Sequence, residues 1–482
     1  MPPTASIGRT AAAPMPGPPP LSIPAAILKI LQFERDPLSL MQELHARYGN
    51  LSALRSLRKS LVFAFGPEYN QVLHADGDRF ASKGFVLAGP ADSPQRRLST
   101  SLFTMNGSTH RQARHLLLPP FQRSALAQYQ TDLVELLEPL LARWRPGQVI
   151  DILHEMHHWS WSIAGKLLYG LDVSAGRDSL RHEFEYWLGL NASLVVRCLR
   201  FDWPLCPYRR LLRQANRLEQ KILAMIRAKE AAGTRGNDVL AILMRQQVSD
   251  AELVGHATTL FLAAFETTAN TLAWTFFLLA QHPRVLGELL DELAPLGGAV
   301  PSADQLGRFS LLDAVLKESM RLLPAIPFSR RIATKDGMLG PCFLPRGSMV
   351  LFSHYITHHM PELYAEPNRF LPERWQTIRP SISEYLPFGA GAHMCVGSSL
   401  ATFVLKTILA MVLPRWRMTV VPQSRIARRV TVSLAPRHGV PMILAHQDRR
   451  FERTPVRGDI HEMVDLQAEE RRLVAVAIRS AA

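Results

Sequence analysis

Cys395 is the residue whose sequence surroundings most clearly indicate chemistry. It lies in the segment 388–397, FGAGAHMCVG, which contains three glycines. Glycine permits positive φ angles and lets a backbone approach a flat ligand closely. A strong helical pattern follows over 398–413, so the thiol stands just before a helix N-terminus, where the helix dipole and free amides stabilise a thiolate. The segment therefore predicts a thiolate held in a glycine-rich loop.

The neighbours of Cys395 limit what such a thiolate does. The four cysteines of the chain form no C-x-x-C pair, and no second cysteine or ligand pair lies near this one. An isolated thiolate suits a single axial bond to a haem iron better than a zinc site, which takes four ligands. A buried structural cysteine and a nucleophilic cysteine stay open, although His393 alone supports the nucleophile weakly.

A second candidate site lies within a long apolar helix. The segment 249–252 is a capping-box pattern, and Pro283 ends the helix. Between 257 and 280 the only charge is Glu266, which Thr267 follows. Because the ends are capped and a charge is costly inside a bilayer, we interpret the helix as buried in a large core rather than spanning a membrane. The polar pair then indicates proton transfer, with a purely structural notch as the alternative.

The third constellation is a set of charges in apolar surroundings. Glu318 and Arg321 lie three residues apart in a helix predicted for 310–323, and hence on one face. Arg374 stands between a proline turn and Trp375. If Arg374 reaches the pair, the three form a buried bidentate network whose disruption costs about 3–5 kcal/mol. An exposed helical ion pair is the simpler alternative.

The elements that must position these residues are mainly helical. Strand patterns are short and scattered, and the chain has no internal repeat and no alternating order of strands and helices. The predicted fold class is therefore mainly α with small β-sheets, and a doubly wound sheet is disfavoured. Helices are predicted by three- and four-residue apolar steps at 38–48, 128–144, 154–169, 180–190 and 207–231, and strands at 61–65, 348–352, 429–434 and 440–444.

Composition and charge limit the class of protein further. The 482 residues are 47% hydrophobic and 20% charged, which indicates an ordered chain with a large core. A net charge of +14 favours an acidic binding partner. The sequence has no dense run of Lys and Arg interleaved with aromatic residues, which argues against nucleic acid as that partner. The apolar stretch 21–33 is too short to span a membrane. Unpaired cysteines are compatible with a reducing compartment, so we expect a cytoplasmic protein without a transmembrane segment.

Together these motifs resemble the cytochrome P-450 haem-thiolate monooxygenases over residues 30–445. The motifs occur in the order typical of that family, and each alone is moderately specific. The resemblance implies a helix-rich triangular prism with one haem-binding catalytic domain over 21–446, a disordered proline-rich lead-in at 1–20 and an extension at 447–482. The motifs are 263–268 (AAFETT), 318–321 (ESMR), 372–375 (PERW) and 388–397.

The resemblance also implies roles for the cofactor-binding residues. Cys395 would be the proximal ligand of the iron of haem b, with Phe388 beside the thiolate. Glu266 and Thr267 would deliver protons for the scission of O2. Further residues implied to bind the cofactor are His110, Arg114, Arg331, Gly391, His393, Gly397 and Ala263.

The resemblance also implies roles for residues that support the haem loop or contact the substrate. Glu318, Arg321 and Arg374 would form a structural network that supports the haem loop. His393 stands where the family usually has arginine, and Ala264 stands where glycine is commoner. The residues implied to contact substrate are Phe85, Leu87, Phe265, Ala325, Ile326 and Phe328.

The implied activity is insertion of one oxygen atom from O2 into a lipophilic small molecule, by hydroxylation or epoxidation. Electrons would come from NAD(P)H through a ferredoxin or flavodoxin with its reductase, and such acidic partners suit the positive charge. A peroxide-using enzyme or haem isomerase is an alternative, against which the pair Glu266–Thr267 argues. A non-catalytic haem protein for sensing or electron transfer is another.

Overall fold

The computed structural model describes residues 12–56, 59–171, 179–231, 233, 238–246 and 248–467. The helices within these residues are α1 (Ile23–Arg35), α2 (Pro37–Tyr48), α3 (Pro67–Ala75), α4 (Pro94–Ser99), α5 (Gly107–Leu117), α6 (Leu126–Leu141), α7 (Ile152–Tyr169), α8 (Ser179–Ala192), α9 (Leu194–Cys198), α10 (Pro207–Ala231), α11 (Val239–Met244), α12 (Asp250–Gln281), α13 (Pro283–Leu293), α14 (Ala303–Leu306), α15 (Ser310–Leu322), α16 (His354–His358), α17 (Ser398–Val412) and α18 (Ile460–Met463).

The strands are few and short by comparison with the helices, which confirms the predicted fold class. The strands in the described residues are β1 (Leu51–Ser56), β2 (Lys59–Ala64), β3 (Phe80–Ser82), β4 (Val149–Asp151), β5 (Ser329–Ala333), β6 (Gly337–Leu339), β7 (Cys342–Leu344), β8 (Met349–Phe352), β9 (Trp416–Val420), β10 (Arg428–Val430), β11 (Leu434–Pro436) and β12 (Pro441–His446).

Periodic apolar residues predicted the helices well and the strands less well. Helix α10 has the predicted bounds, and the ends of the other predicted helices move by no more than three residues. The strand predicted at 429–434 is instead interrupted by a turn, so that β10 and β11 pair with each other in antiparallel register. Strand β1, which pairs with β2, was not predicted, because its sequence LSALRS has only a short alternation of apolar and polar residues.

The strands form separate small sheets around the helical core. The largest has the order β1-β2-β8-β5-β3, in which only β2 and β8 pair in parallel. A second sheet has the order β4-β12-β9, and hairpins join β6 with β7 and β10 with β11. The largest sheet places β5, which carries Arg331, between β8 and β3.

Helix α12 runs through the core and packs against α4, α7, α15 and α17. Both halves of the predicted capping box are present, since Ser249 accepts from the amide of Glu252 and the Glu252 carboxylate accepts from the amide of Ser249. Residues 253–261 and 269–281 are buried, as an apolar helix in a large core requires. Among the described helices, none is both long and apolar enough to cross a bilayer.

The described part of the lead-in differs from the expectation of disorder. The amide of Ala13 donates to Pro341 O at 2.9 Å, the amide of Ala53 to Pro16 O at 2.8 Å, and the amide of Leu21 to Arg55 O at 2.8 Å. An extended, proline-rich backbone keeps its carbonyls free, so it adds to the edge of a sheet. Residues 1–11 of the predicted lead-in lie outside the described residues.

The first part of the C-terminal extension packs on the domain. Ile460, Met463 and Val464 are fully buried. Arg428 forms ion pairs with Asp36 near the N-terminus and with Glu462 in the extension. The sequence of the extension is amphipathic over residues 460–478, and this burial explains the first part of that pattern. Residues 468–478 lie outside the described residues.

Candidate active site

The loop that carries Cys395 is fixed by its glycines and by hydrogen bonds. Gly389 and Gly391 have φ angles of 68° and 66°, in the region that glycine adopts most easily. A Cβ on Gly391 would lie 2.4 Å from the carbonyl oxygen of His74, so this position also needs the missing side chain. The amide of Cys395 donates to Phe388 O at 2.9 Å. The loop thereby turns back on itself and presents the thiol just before α17, whose N-cap is Gly397.

The thiol of Cys395 is accessible although protein surrounds it, from which we infer that it lines an internal cavity. Its surface is accessible, yet burial raises its pKa, while the amide of Gly397 and the charge of Arg114 lower that pKa in part. The amide and the guanidinium charge offset only part of this effect, so the pKa stays above its usual value and burial favours the neutral thiol when no cation binds the sulfur. The neighbouring Met394 carbonyl accepts a hydrogen bond from Arg114 Nη1 at 2.6 Å, which ties α5 to the loop.

The middle of α12 is less completely buried than the parts of the helix that flank it. Residues 262–268 are partly exposed, although the helix is buried on both sides of them. Thr267 Oγ1 donates to the Ala263 carbonyl one turn earlier at 2.6 Å. Glu266 forms no ion pair or hydrogen bond with another described residue. At the sequence notch 263–268, neighbouring side chains therefore cover the helix less completely than on either side of it.

The three residues of the predicted charge network come together around one carboxylate. Arg321 donates to both oxygens of Glu318, at 2.8 and 2.9 Å, and Arg374 Nε donates to Glu318 Oε1 at 2.9 Å. The Trp375 indole and the Leu371 amide complete the set, at 3.0 and 3.1 Å. Glu318 and Arg321 are fully buried, so this is not the exposed helical pair that sequence reasoning left open.

The remaining predicted cofactor residues form a cluster of basic groups. The rings of His110 and His393 lie 3.9 Å apart, and Arg331 is only 6% exposed. Burial first, and then His110, Arg331 and Arg114, lower the pKa of His393 to about 3. Burial also lowers the pKa of His110 and, to about 10, that of Arg331. No acidic residue among those described forms an ion pair with any of these four, so the cluster fits an anionic ligand.

The predicted substrate residues are placed in three different surroundings. Ala325 and Ile326 are partly accessible, whereas Phe328 is buried and its ring meets that of Phe33 at 5.8 Å. Phe85 is 38% exposed and lies under the guanidinium of Arg330. The structure therefore does not bring all six residues to one surface.

Phe265 and Leu87 complete the set. The Phe265 ring packs against His157 and Trp161 of α7, with centroid distances of 5.1 and 5.7 Å. These ring contacts show that the Phe265 side chain faces α7. Its neighbours in the helix point elsewhere, because successive residues of a helix point about 100° apart. Leu87 is half-buried, and its amide donates to Asn191 Oδ1 at 3.0 Å.

A buried polar clamp that holds Leu87 was not predicted from the sequence. Gln95 is fully buried, donates to Leu87 O at 2.6 Å, and accepts from the Trp187 indole at 2.7 Å. Asn191 bonds both Gln95 and Leu87. The clamp joins residues some hundred positions apart, so no local spacing indicates it.

Comparison with known proteins agrees with this geometry. The family described as Cytochrome P-450 matches residues 15–438. The chain is 31% identical over 405 residues to the cyclooctat-9-en-7-ol 5-monooxygenase of Streptomyces melanosporofaciens, covering 80% of this chain and 86% of that protein. It is 29% identical over 409 residues to the pentalenene oxygenase of Streptomyces avermitilis, covering 82% and 90%. The chain belongs to the cytochrome P-450 family.

The fold of a solved cytochrome P-450 is also similar. The heme domain of cytochrome P-450DA superposes with a TM-score of 0.80 at 21% identity, covering 92% of this chain and all of that one. The predicted family and enzyme class are therefore confirmed: the protein is a cytochrome P-450 monooxygenase.

The residues present fit the haem that this family uses. The accessible middle of α12 borders a cavity, and Cys395 offers one thiolate on a cavity wall. Haem carries two propionates, and the acid-free basic cluster of Arg331, His110 and His393 suits such anions. A neutral His393 still donates one hydrogen bond, so its replacement of arginine does not prevent this fit.

Two histidines beside this cluster, the buried His354 and the half-buried His74, were missed by sequence reasoning. Burial lowers the pKa of His354 to about 4, and burial followed by Arg331 lowers that of His74 to about 3. His354 bonds the Ile326 carbonyl through Nδ1, while its Nε2 has no partner among the described residues. Nothing in the spacing of His74 and His354 signals their approach, because they lie on α3 and α16, which are far apart in the chain.

Replacing Arg321 tests the charge network. The Arg321→Ala variant leaves the Glu318 carboxylate buried with one guanidinium fewer, which destabilises a protein by about 3–5 kcal/mol. We expect little haem-loaded protein and a lower thermal midpoint, measured by the ratio of haem to protein absorbance and by calorimetry. Arg449→Ala, which removes a surface ion pair with Asp291, is the matched control and should change neither value. Normal haem content in Arg321→Ala would contradict the network's role.

Replacing Cys395 tests the ligand. In Cys395→Ala the ferrous carbon monoxide complex should lose the red-shifted Soret band that thiolate ligation produces, because no sulfur remains to bind the iron. The exposed Cys198 provides the control, and Cys198→Ala should keep the band. An unchanged spectrum in Cys395→Ala would rule out this ligand.

Proposed function

We propose that this cytochrome P-450 inserts one oxygen atom from O2 into a lipophilic small molecule of terpene type, by hydroxylation or epoxidation. The observation that carries the proposal is the accessible stretch 262–268 of α12, whose apolar residues and single carboxylate border the cavity. The names of the relatives, a cyclooctat-9-en-7-ol 5-monooxygenase and a pentalenene oxygenase, support an apolar, polycyclic substrate.

The protein's part in the reaction begins with the thiolate of Cys395. When bound, haem supplies the activation of O2, and a thiolate ligand favours cleavage of the O–O bond. The loop bonds of Phe388 and Arg114 hold the sulfur at a defined place. The basic cluster of His110, Arg331 and His393 would orient the cofactor through its propionates.

Glu266 and Thr267 are proposed to supply protons to the cavity. Thr267 Oγ1 donates its own proton to Ala263 O, so its lone pairs remain able to accept from water. Glu266 has no competing partner among the described residues and can exchange protons with water. Glu266 would take up the proton and Thr267 would hold the water that passes it on.

The substrate surface is proposed to be built by Ala325, Ile326, Phe85 and Leu87. The polar clamp of Gln95 and Asn191 fixes the backbone at Leu87 and so defines one side of that surface. Phe265 and Phe328 would act through packing, since their rings already contact α7 and Phe33.

Electrons are proposed to come from NAD(P)H through a ferredoxin or flavodoxin with its reductase. Such carriers are acidic, and a net charge of +14 would speed their association at low ionic strength. All four cysteines are free, which supports a reducing compartment such as the cytoplasm.

Isotopic labelling tests the reaction class and the substrate. The purified protein is incubated with pentalenene or a related terpene, NADPH, and a ferredoxin with its reductase under 18O2. The product should carry one 18O atom by mass spectrometry, because one atom of O2 enters the substrate. A linear fatty acid serves as the comparison substrate. Product formed from hydrogen peroxide without reductase, and none from O2, would instead establish a peroxide-using enzyme.

The coupling of oxygen use to product tests Thr267. In Thr267→Ala we expect more peroxide released per NADPH consumed, because protons no longer reach the cavity in an ordered way. Thr271→Ala is the matched control, since Thr271 makes the same bond to the carbonyl one turn back, at 2.9 Å. Equal coupling in Thr267→Ala and the parent protein would exclude the proposed role.

A further inference from the structure

The chain continues past β12 and turns back onto the domain. The family match ends at residue 438, so residues 454–466 lie beyond it. A terminal segment that only covered the surface would not bury large apolar side chains completely. We call residues 454–466 the C-terminal strap, and its buried apolar side chains are Val456, Ile460, Met463, Val464 and Leu466.

The first half of the C-terminal strap is attached to the loop between β9 and β10. The Arg457 amide donates to Ser424 O at 2.9 Å, and the Ile426 amide donates to Arg457 O at 2.7 Å. Gly458 has a φ of 115°, and a Cβ there would lie 2.1 Å from Ile426 O, so only glycine fits this close approach. These contacts define the path of the C-terminal strap before it reaches the interior.

The second half of the C-terminal strap reaches the surroundings of Arg321. The Asp465 amide donates to Asn368 O at 2.8 Å. The carbonyls before and after it in the chain, those of Pro367 and Arg369, accept from the Arg321 guanidinium at 2.8 and 3.1 Å. The C-terminal strap therefore holds a peptide group that lies between two acceptors of Arg321.

The third acceptor of Arg321 also lies next to the C-terminal strap. His358 O accepts from Arg321 Nη1 at 2.8 Å, and the ring of the following His359 stacks on Tyr355 at 4.0 Å. Burial first, and then the charge of Arg321, lower the pKa of His359 to about 3, while interaction with the backbone of Tyr355 and Met463 raises it in part. His359 is therefore close both to Arg321 and to Met463 of the C-terminal strap.

Arg321 depends on these acceptors because it is fully buried. A guanidinium has five N–H donors, and Arg321 makes five hydrogen bonds, two to Glu318 and three to the carbonyls. A buried charge that loses an acceptor has no water to replace it. His358 continues the network toward Cys395, since its Nε2 accepts from the Leu386 amide at 2.8 Å. Whatever holds the three carbonyls therefore acts on the segment that leads into the cysteine loop.

We propose that the C-terminal strap positions the cysteine loop by fixing the three carbonyls that hold Arg321. Its residues would be positioning residues, because they act through Arg321 and not on the reacting atoms. Its buried apolar side chains would also keep water away from the network, where water would compete with the carbonyls for the guanidinium. The proposal concerns the haem protein without substrate or electron carrier, so it can fail while the proposed function holds.

Two substitutions at one position of the full chain test the hydrogen bond to Asn368. Asp465→Ala removes the carboxylate and keeps the amide, whereas Asp465→Pro removes the amide as well. The residue before a proline prefers extended backbone, and Val464 already has a φ of −133° and a ψ of 126°. Relative to Asp465→Ala, Asp465→Pro should transfer haem to apomyoglobin about 5-fold faster, the scale expected when one buried hydrogen bond is lost.

Two local measurements separate positioning of the loop from general stability. Hydrogen exchange followed by mass spectrometry should be faster at residues 366–371 and 384–397 in Asp465→Pro than in Asp465→Ala, because both segments lose their fixed neighbours. The ferrous carbon monoxide complex of Asp465→Pro should lose part of the red-shifted Soret band, because the thiolate is held less firmly.

A matched pair of methionines controls for lost packing. Met463 and Met156 are both fully buried, but Met156 lies on α7, which packs against α6, α11 and α12. Met463→Ala and Met156→Ala both create a cavity, so both should lower the thermal midpoint. Only Met463→Ala should also speed haem transfer and reduce the red-shifted band.

Three results would overturn the proposal. The first is equal haem transfer and equal hydrogen exchange in Asp465→Pro and Asp465→Ala. The second is the same loss of the red-shifted band in Met156→Ala as in Met463→Ala, which would assign the C-terminal strap to overall stability alone. The third is faster exchange at residues 366–371 without a change at 384–397, which would confine the effect of the C-terminal strap to the residues that it touches.

Discussion

The carboxylate of Glu318 connects parts of the chain that are far apart in sequence. It binds two guanidinium groups, an indole and a backbone amide, and Arg321 continues to the carbonyls of His358, Pro367 and Arg369. His358 Nε2 in turn accepts from the Leu386 amide at 2.8 Å, two residues before the cysteine loop begins. Buried charges are tolerated when each has its partners. The loss of one partner leaves the remaining charges uncompensated, because no water is present to solvate them. The position of the loop therefore depends on this one anion.

The interior near α12 and Cys395 departs in two ways from a fully packed, apolar core. Helix α12 is buried along most of its length, yet its middle residues border open space, because small side chains at Ala263 and Ala264 leave the backbone uncovered. In and around the cysteine loop the protein places basic groups without acids and a thiol with few stabilising donors. Such groups are unfavourable when left alone in the interior. A large anionic cofactor with a metal at its centre removes both penalties, which is why the haem fits.

The segments proposed to contact substrate are supported by α1 and by residues next to α9. Phe33 of α1 packs on Phe328, and Asn191, which holds Leu87, lies just before α9. Arg330 covers Phe85 and is close to Arg197, whose charge helps to lower the pKa of Arg330 to about 10 after burial. A movement of α1 or α9 would therefore reach both substrate segments through direct contacts.

Local patterns in the chain were sufficient for the helices, the capped ends of α12, the glycine loop and the pairing of Glu318 with Arg321, because each depends on spacing within one or two turns. The sequence indicated the contact of Arg374 with Glu318 only conditionally, because 56 residues separate the two. The clamp of Gln95 with Trp187 and the contact of the His110 and His393 rings had no signal in the local spacing of residues. They arise from side chains brought together by long-range packing, which residue spacing does not encode. Phe265 marks the limit most clearly: its position in the motif was evident, but only the place of α7 determined which way its ring faces.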